Sequence, residues 1–340
     1  MKITVLGAGR WASTIALCLD RKGYDVMVWE KMWDKVETNP LFLTGSNKYV
    51  TLSKNVKFTH DLEEAFAHSD LFVMSILSQQ VENFMQEIKK VKGYSHKKYV
   101  LAMKGVQATT GRRLSEILID NGVDRENIAV WVGPGQPPLI ADKQPTNMVI
   151  SAYNRVLAQQ LVENLTTKGI LDLSLSEDII GTEIGAAAKN VIGIAAGILD
   201  GHNFEQKKGP LISAAIKEMG LFIKAMGGEQ ETASGLAFAG DFQATLFYHG
   251  NNWSYGDLIV KRNTLNAEDL ADVINVKSVE GIMTAKALIL LEEMYNKKVT
   301  NNKQLKMPIT HAVDDICSGK VPLDKAGYYM SDKITEALEL

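Results

Sequence analysis

The sequence predicts an α/β protein in which a doubly wound sheet is followed by an all-α domain. In the first half of the chain, short runs rich in Val, Ile and aromatic residues alternate with stretches of helical spacing. From about Ser176 onward, Ala, Gly, Leu and Met recur at helical spacing and the strand signals fade. A chain of 340 residues is long enough for two domains. We therefore expect a sheet domain over residues 1–180 and a helical domain over residues 181–340.

A set of apolar runs supplies the candidate strands of the first domain. The first run ends in a glycine and precedes WASTIALCLDRKG (11–23), which has helical spacing and a glycine stop. Strands that alternate with helices in this way favour a parallel sheet with helices on both faces. The predicted strands are KITVLG (2–7), YDVMVWE (24–30), LFVMSI (71–76), KYVLAM (98–103), IAVWVG (128–133) and TNMVISA (146–152).

Charge and cysteine content exclude several classes of protein. The chain has 37 Lys and Arg against 40 Asp and Glu, a net charge of −3, so bulk charge predicts no nucleic-acid partner. Cys18 and Cys317 lie far apart without a disulfide pattern, which is typical of a reducing compartment. The start, MKITVLGAG, is typical of a strand and not of a secretory leader. We therefore expect a cytoplasmic protein.

Neither a membrane span nor a metal site is expected. The longest apolar run is interrupted by Lys189 and Asn190, so we expect no membrane insertion. The histidines show no metal-ligand spacing, and we expect no metal. One of them, His249, lies in the segment FYHGNNWSYG (247–256) and is a candidate substrate contact. The histidines are His60, His68, His96, His202, His249 and His311.

The turn after the first strand carries a dinucleotide-binding pattern. Gly7 permits a tight turn, Gly9 lets the backbone approach a pyrophosphate, and the small Ala12 lets the following helix lie close to the strand. Position in the chain supports this interpretation, because the turn directly follows a strand and opens a helix. The alternative is a simple tight turn. A Rossmann-type first domain that binds NAD is the prediction.

The end of the second predicted strand bears on the choice between NAD and NADP. Glu30 lies 30 − 12 = 18 residues beyond Ala12, where an acidic side chain accepts hydrogen bonds from the adenosine ribose and repels a 2′-phosphate. This favours NAD. Lys31 is adjacent and could neutralise such a phosphate, so NADP stays open. The alternative is that both side chains are exposed strand-end charges.

A lysine inside an apolar helix needs an explanation. Lys189 and Asn190 interrupt EIGAAAKNVIGIAAGILDG (183–201), a run whose spacing predicts a helix packed nearly all round. A buried ammonium is costly unless it is paired or deprotonated. Either Lys189 extends along the helix to the surface, or a pocket opens beside it.

Several short motifs, taken in order, resemble one family. They are GAGRWAS (7–13), NKYV (47–50), AMKGV (102–106), VGPGQP (132–137), GTEIGAAAKNVIGIAAGILDG (181–201), LAFAGDF (236–242) and SVEG (278–281). Together they resemble the NAD(P)-dependent glycerol-3-phosphate dehydrogenases of the soluble bacterial type. The resemblance implies a cytoplasmic oxidoreductase that interconverts sn-glycerol 3-phosphate and dihydroxyacetone phosphate for glycerophospholipid synthesis. A homodimer is the expected assembly, as the commonest arrangement of soluble homo-oligomers.

The resemblance also implies roles for individual residues. Lys189 matches the base that accepts the proton of the C2 hydroxyl, and Lys104 matches a second lysine that contacts substrate and cofactor. Asp241 matches an aspartate of the catalytic set, with Thr245 four residues later. Asn190 is placed to hold the neighbouring hydroxyl. The other implied contacts are Trp11 and Glu280 on the cofactor side and Gly133 in the loop near the nicotinamide and the substrate. Arg10 departs from the family, whose bacterial members usually have a small hydroxyl residue there, and lies either against the pyrophosphate or in solvent.

The match breaks at the substrate-phosphate segment. The family carries an Arg-Asn pair there, whereas this chain has Asn251 followed by Asn252. A neutral amide cannot supply the arginine's charge, although Lys261 or Arg262 could reach in. The family's Gly-Pro-Ser is also changed, to Gly-Pro-Gly with Gly135 as its last residue. Two alternatives remain: a paralogue that oxidises another polyol phosphate or a non-phosphorylated hydroxy compound, and a non-catalytic NAD-binding protein.

Overall fold

The chain forms two compact units in a computed structural model that describes residues 1–31, 40–48, 50–248, 250–299 and 304–340. The first, which we call the sheet unit, comprises residues 1–104 and 114–179. The second, the helical unit, comprises residues 105–113 and 180–340. Each unit has its own core of buried apolar side chains.

An eight-stranded sheet forms the centre of the sheet unit. Its order is β3-β2-β1-β4-β5-β6-β7-β8. The strands are β1 (Lys2–Leu6), β2 (Asp25–Trp29), β3 (Lys57–Thr59), β4 (Leu71–Met74), β5 (Lys98–Leu101), β6 (Ile128–Val132), β7 (Thr146–Ala152) and β8 (Leu171–Ser176).

The strand order creates a crevice at the end of β1. From β1 the chain proceeds outward to β2 and β3, and then returns to add β4 on the other side of β1. Both neighbours of β1 are parallel to it, with Leu6 opposite Trp29 and Met74. In doubly wound sheets, ligands bind at such a reversal, beyond the carboxyl ends of the strands. The predicted doubly wound sheet is confirmed.

The sheet departs from the expected all-parallel arrangement at one pair. β7 runs antiparallel to β6, with Val132 opposite Val149. The connection between them, residues 133–145, contains only a five-residue helix. Such a helix is about 8 Å long, which is too short to carry the chain back past a strand of about 16 Å. The strands β3 and β8 were not among the predicted runs.

Helices make up the rest of both units. In the sheet unit they are α1 (Arg10–Arg21), α2 (Pro40–Thr44), α3 (Leu62–His68), α4 (Val81–Ile88), α5 (Leu114–Asp120), α6 (Pro137–Ala141) and α7 (Arg155–Leu165). Beyond the sheet they are α8 (Ile179–Gly201), α9 (Lys208–Ala225), α10 (Asp241–Tyr248), α11 (Asn251–Lys261), α12 (Glu280–Asn296), α13 (Pro308–Cys317) and α14 (Ala326–Leu338). The helical second half is as predicted.

The apolar helix α8 runs through the core of the helical unit. Among the described residues it is the one helix that is long and apolar enough to cross a membrane by length and composition, despite Lys189 and Asn190. However, 89% of its most apolar window is buried inside the protein. A mostly buried helix of this kind is typical of a protein core.

Residues 105–113 were expected in the first domain, but they belong to the helical unit. Val106 packs with Ala187 of α8 and Ala287 of α12. The guanidinium of Arg113 lies 2.8 Å from the Glu183 carboxylate, and both side chains are largely buried. These contacts are distant in sequence, so no local composition shift announces them.

Close packing of α8 against α11 depends on glycines. A Cβ atom at Gly197 would lie 2.0 Å from the Trp253 carbonyl oxygen, and one at Gly256 would lie 2.3 Å from the Ile194 carbonyl oxygen. Backbones can approach this closely only where no side chain stands between them. The first residues of α11 are thereby held beside the middle of α8.

A fully buried carboxylate joins α9 to the start of α13. Glu218 accepts hydrogen bonds from the backbone N–H groups of Ile309 (2.7 Å) and Thr310 (3.1 Å) and from the Thr310 hydroxyl (2.7 Å). Burial raises the pKa of Glu218 from 4.5 to about 7, against the opposing effect of these hydrogen bonds. Between about pH 4.5 and pH 7, the carboxyl group of Glu218 therefore keeps its proton in the native state and loses it in the unfolded chain.

This proton makes a testable contribution to stability. Because the pKa is raised in the folded state, the contribution is complete below about pH 4.5 and is lost as pH rises toward about 7. We expect the melting temperature of the unsubstituted chain to fall relative to that of Glu218→Gln between pH 5 and 8, as measured by circular dichroism. A difference independent of pH would contradict the prediction.

Candidate active site

The glycine turn lies in the crevice between β1 and β4. The Gly7 N–H donates to the Trp29 carbonyl oxygen at 2.8 Å, and the backbone there has φ = +113°. A Cβ atom at this position would lie 2.4 Å from the Ser75 carbonyl oxygen. Gly9 precedes α1, whose N-terminus has no side-chain cap. Space for the backbone and an uncapped helix N-terminus are what a pyrophosphate requires, so the turn fits a dinucleotide.

The candidate ribose-binding residues lie at the end of β2. Glu30 is half-buried, and its carbonyl oxygen is 2.7 Å from His60 Nδ1. The exposed Lys31 forms an ion pair with Glu87 of α4. This pairing partly satisfies the lysine charge that could otherwise neutralise a 2′-phosphate. Arg10 is exposed at the first residue of α1.

A lysine and a loop carbonyl meet beyond β5 and β6. Lys104 Nζ donates to the Gly133 carbonyl oxygen at 2.9 Å. Gly133 has φ = +127°, a conformation that favours glycine. The Gly135 N–H donates to the same carbonyl oxygen at 2.8 Å. The predicted pair of Lys104 and Gly133 is therefore brought together within the sheet unit.

The lysine of α8 faces a buried carboxylate. The Lys189 side chain is 13% exposed and that of Asp241 is 1% exposed, with Nζ 3.5 Å from Oδ1. Lys189 Nζ also donates to the Thr245 hydroxyl at 3.3 Å, and that hydroxyl donates to the Asp241 carbonyl oxygen at 3.1 Å. Lys189 therefore does not extend along the helix into solvent. It forms a cluster with two predicted residues, which we call the lysine cluster: Lys189, Asp241 and Thr245.

The local fold explains how Asp241 reaches this position. A π-helical turn, Leu236–Gly240, directly precedes α10, and the Gly240 N–H donates to the Gly235 carbonyl oxygen five residues back. Turns of this kind are rare and frequently occur at functional sites. Thr245 follows Asp241 by four residues, so both lie on the same face of α10.

A chain of amides runs from α12 to α8. The Gly281 N–H donates to Asn252 Oδ1 at 2.9 Å, so Asn252 must present its NH₂ group to Asn190, whose Oδ1 accepts at 3.0 Å. Asn190 is 4% exposed, and its Nδ2 has no hydrogen-bond partner among the described residues. The backbone N–H thus fixes both amides and leaves Asn190 Nδ2 as a buried donor beside Lys189.

Asn251, the first residue of α11, contacts the segment that directly precedes α12. Asn251 Nδ2 donates to the Ser278 hydroxyl at 3.0 Å. Glu280, the predicted cofactor-side residue, is the first residue of α12. Ser278 and Gly281 were not singled out from the sequence, although both lie in the motif SVEG. They are distinguished only by their contacts with Asn251 and Asn252, which we call the asparagine pair.

Two cations considered as substitutes for the family's arginine lie elsewhere. Lys261 is ion-paired with Asp257 at 2.8 Å, and Arg262 is ion-paired with Asp272 at 2.6 Å. Both stand at the end of α11, about 15 Å along the helix from Asn251. The structure therefore does not bring them to the asparagine pair. His249 and Tyr49 lie outside the described residues. Among the described residues, no group of three or more His, Cys, Asp or Glu could hold a metal ion.

Comparisons with known proteins identify the family. The model of the NAD-dependent glycerol-3-phosphate dehydrogenase N-terminus matches residues 2–158, and the model of the C-terminus matches residues 178–327. A glycerol-3-phosphate dehydrogenase of the NAD(P)+ type from Prosthecochloris aestuarii is 32% identical over 336 residues, which cover 96% of each chain. One from Fusobacterium nucleatum is 32% identical over 88% of this chain and 89% of its own.

Solved structures show the same fold. A glycerol-3-phosphate dehydrogenase from Coxiella burnetii has a TM-score of 0.84 at 24% identity, covering 100% of this chain and 99% of its own. One from Saccharomyces cerevisiae has a TM-score of 0.78 at 20% identity, covering 97% and 99%. At these identities the structures support the fold alone. The family models and the sequence relatives, however, establish that this chain belongs to the NAD-dependent glycerol-3-phosphate dehydrogenase family.

Proposed function

We propose that this chain interconverts sn-glycerol 3-phosphate and dihydroxyacetone phosphate by hydride transfer with NAD(H), and so supplies glycerophospholipid synthesis. The observation that carries the proposal is the lysine cluster, a largely buried ammonium beside a buried carboxylate and a hydroxyl. A secondary alcohol gives up hydride only as its hydroxyl proton is removed, which requires a base. Membership of the family supports this reaction over others of the same fold.

The turn after β1 is the proposed cofactor site. A bound nicotinamide would supply the hydride acceptor for oxidation of the alcohol and the hydride donor for reduction of the ketone. Gly7 and Gly9 admit the pyrophosphate to the N-terminus of α1, and Glu30 receives the ribose hydroxyls. The full proposed set of cofactor contacts is Gly7, Gly9, Arg10, Trp11, Glu30, Lys31, Lys104 and Glu280.

In the proposed mechanism, Lys189 takes the proton from the C2 hydroxyl during oxidation. In the reducing direction its ammonium donates the proton and stabilises the developing alkoxide. Asp241 holds the ammonium in place, since its carboxylate is 3.5 Å away and almost completely buried. Apo distances of 3.3–3.5 Å are typical of catalytic hydrogen bonds that shorten in the substrate complex.

The substrate is held mainly by amides in this proposal. Asn190 Nδ2 is a buried donor with no protein partner among the described residues, so a substrate oxygen would satisfy it. The asparagine pair receives the phosphate end of the substrate without a cation of its own. The proposed substrate contacts are Lys104, Gly133, Asn190, Thr245, Asn251 and Asn252.

A steady-state assay with both cofactors tests the proposed function. We expect the purified chain to oxidise NADH when dihydroxyacetone phosphate is added, with a lower kcat/KM for NADPH because Glu30 repels the 2′-phosphate. Absorbance at the reduced-nicotinamide band measures both rates. Equal kcat/KM values for the two cofactors would contradict the role of Glu30. NADH binding without turnover of dihydroxyacetone phosphate would contradict the substrate.

Restoring the family's arginine is expected to strengthen substrate binding. Asn251→Arg should lower the KM for dihydroxyacetone phosphate by about tenfold or more, because a charge-assisted bidentate hydrogen bond replaces a neutral contact. The kcat should change little, since the reacting carbon is not touched. Asn251→Gln lengthens the side chain without adding charge and serves as the control. An unchanged KM in Asn251→Arg would mean that the phosphate is bound elsewhere.

Asn251 also favours a second candidate function. An uncharged residue at this position suits another polyol phosphate or a non-phosphorylated hydroxy compound, so the same assay should include uncharged dihydroxyacetone. A non-catalytic NAD-binding protein has less support. Binding of NAD does not require a largely buried lysine beside a buried carboxylate, whereas catalysis does.

We further propose that the enzyme works in the cytoplasm as a homodimer, with residues 1–180 for the cofactor and 181–340 for substrate and catalysis. The free thiols of Cys18 and Cys317 support a reducing compartment. A twofold dimer is the commonest arrangement of soluble homo-oligomers. Sedimentation of the purified chain distinguishes a dimer from a monomer.

A further inference from the structure

A glycine in the loop after β6 leaves space for a tryptophan of the cofactor site. A Cβ atom at Gly135 would lie 2.9 Å from Trp11 Cη2 and 2.9 Å from Met148 Sδ. The Gly135 backbone is not in the left-handed region, so its own conformation would accept any residue. A side chain at this position is therefore excluded by its neighbours, Trp11 and Met148. Of these two, the aromatic ring of Trp11 is the more rigid.

Packing holds the Trp11 ring in place. Trp11 is the second residue of α1, and its ring meets the fully buried Trp131 ring edge-on, at 6.3 Å between centroids and 70° between planes. Its Nε1 is buried and has no hydrogen-bond partner among the described residues. Since no hydrogen bond there anchors the indole, its position depends on the surfaces that it contacts. Gly135 is one of these surfaces.

We propose that Gly135 is a positioning residue for the cofactor: by lacking a side chain, it lets Trp11 lie against the loop beside the glycine turn. The proposal rests on the proposed function in one respect, namely that Trp11 contacts the cofactor. Any added carbon at position 135 pushes the outer edge of the indole away.

A double-mutant cycle tests the proposal through NADH binding. We expect Gly135→Ala to weaken NADH binding about tenfold or more, as measured by nicotinamide fluorescence, because overpacking displaces the ring. In the Trp11→Phe background the same change should alter the dissociation constant less than about twofold, because phenylalanine has no atom where Cη2 stood. Gly209→Ala, at a glycine of the helical unit where the added Cβ meets no atom within 4 Å outside its own helix, is the control.

A second measurement is independent of the cofactor. The edge-on pair of Trp11 and Trp131 should give a near-ultraviolet circular dichroism signal that Gly135→Ala diminishes, whereas Gly209→Ala leaves it unchanged. Should Gly135→Ala fail to fold, recovery of a folded protein in Trp11→Phe/Gly135→Ala would identify the ring as the obstacle and support the proposal.

Two results would overturn the proposal. One is unchanged NADH affinity and an unchanged tryptophan signal in Gly135→Ala. The other is an equal loss of affinity in both backgrounds, which would mean that the added carbon acts on something other than Trp11. Failure of the unsubstituted chain to bind NADH would instead overturn the proposed function, and with it the cofactor part of this proposal.

Discussion

Replacement of Lys189 by alanine is expected to lower kcat by about 10²–10⁴-fold, the range typical of a lost general acid or base. Affinity for NADH should stay within about twofold of the unsubstituted chain, because Lys189 is not among the proposed cofactor contacts. Steady-state kinetics and nicotinamide fluorescence measure the two quantities. Lys224→Ala removes an exposed lysine of the same unit and is the control.

Stability must be separated from chemistry in this variant. Removing the ammonium leaves the buried Asp241 carboxylate without its ion-pair partner, which is destabilising. The double variant Lys189→Ala/Asp241→Asn removes both charges, so we expect its melting temperature to recover while turnover stays low. Partial rescue of Lys189→Ala by an added small amine would support a role in proton transfer. Retention of more than about a tenth of kcat would contradict that role.

A single methyl group on α8 is expected to have the largest effect on stability. Gly197→Ala would place a carbon 2.0 Å from the Trp253 carbonyl oxygen and 2.8 Å from the Asp257 nitrogen, both backbone atoms of α11. Neither can turn aside as a flexible side chain would. We expect a loss of more than about 3 kcal/mol in the free energy of unfolding, at the upper end for overpacking. Urea denaturation measures it.

The matched control for Gly197 is again Gly209, at the start of α9. An added Cβ there meets no atom within 4 Å outside its chain neighbours, but the next residue is Pro210, whose ring disfavours the helical conformation for a residue that has a Cβ. We therefore expect Gly209→Ala to change the free energy of unfolding by about 1 kcal/mol or less. Equal stabilities of the two variants would show that α8 and α11 can separate without cost. Loss of this packing should also raise the KM, since it displaces Asn252 from Asn190.

Local sequence was sufficient for the first β-α unit and for the buried helix. A β-branched run, a glycine turn and a helical repeat are contiguous, so β1, Gly7 and α1 could be predicted from neighbouring residues. The same holds for α8, whose spacing predicts a helix packed nearly all round, although the sequence left open whether Lys189 reaches the surface. In contrast, β3 has three residues and β8 alternates apolar with polar side chains at the sheet edge. Neither offers a long apolar run.

The sequence by itself determined which groups are available for the proposed chemistry: a glycine turn, a lysine in an apolar helix, and an asparagine where the family has arginine. Tertiary structure alone decided how they meet. Lys189 reaches Asp241, which lies 52 positions later in the chain, and the amide chain joins three helices. Such contacts depend on backbone approach at glycines and on buried hydrogen bonds. Neither has a local sequence signal, because both arise only when distant segments pack.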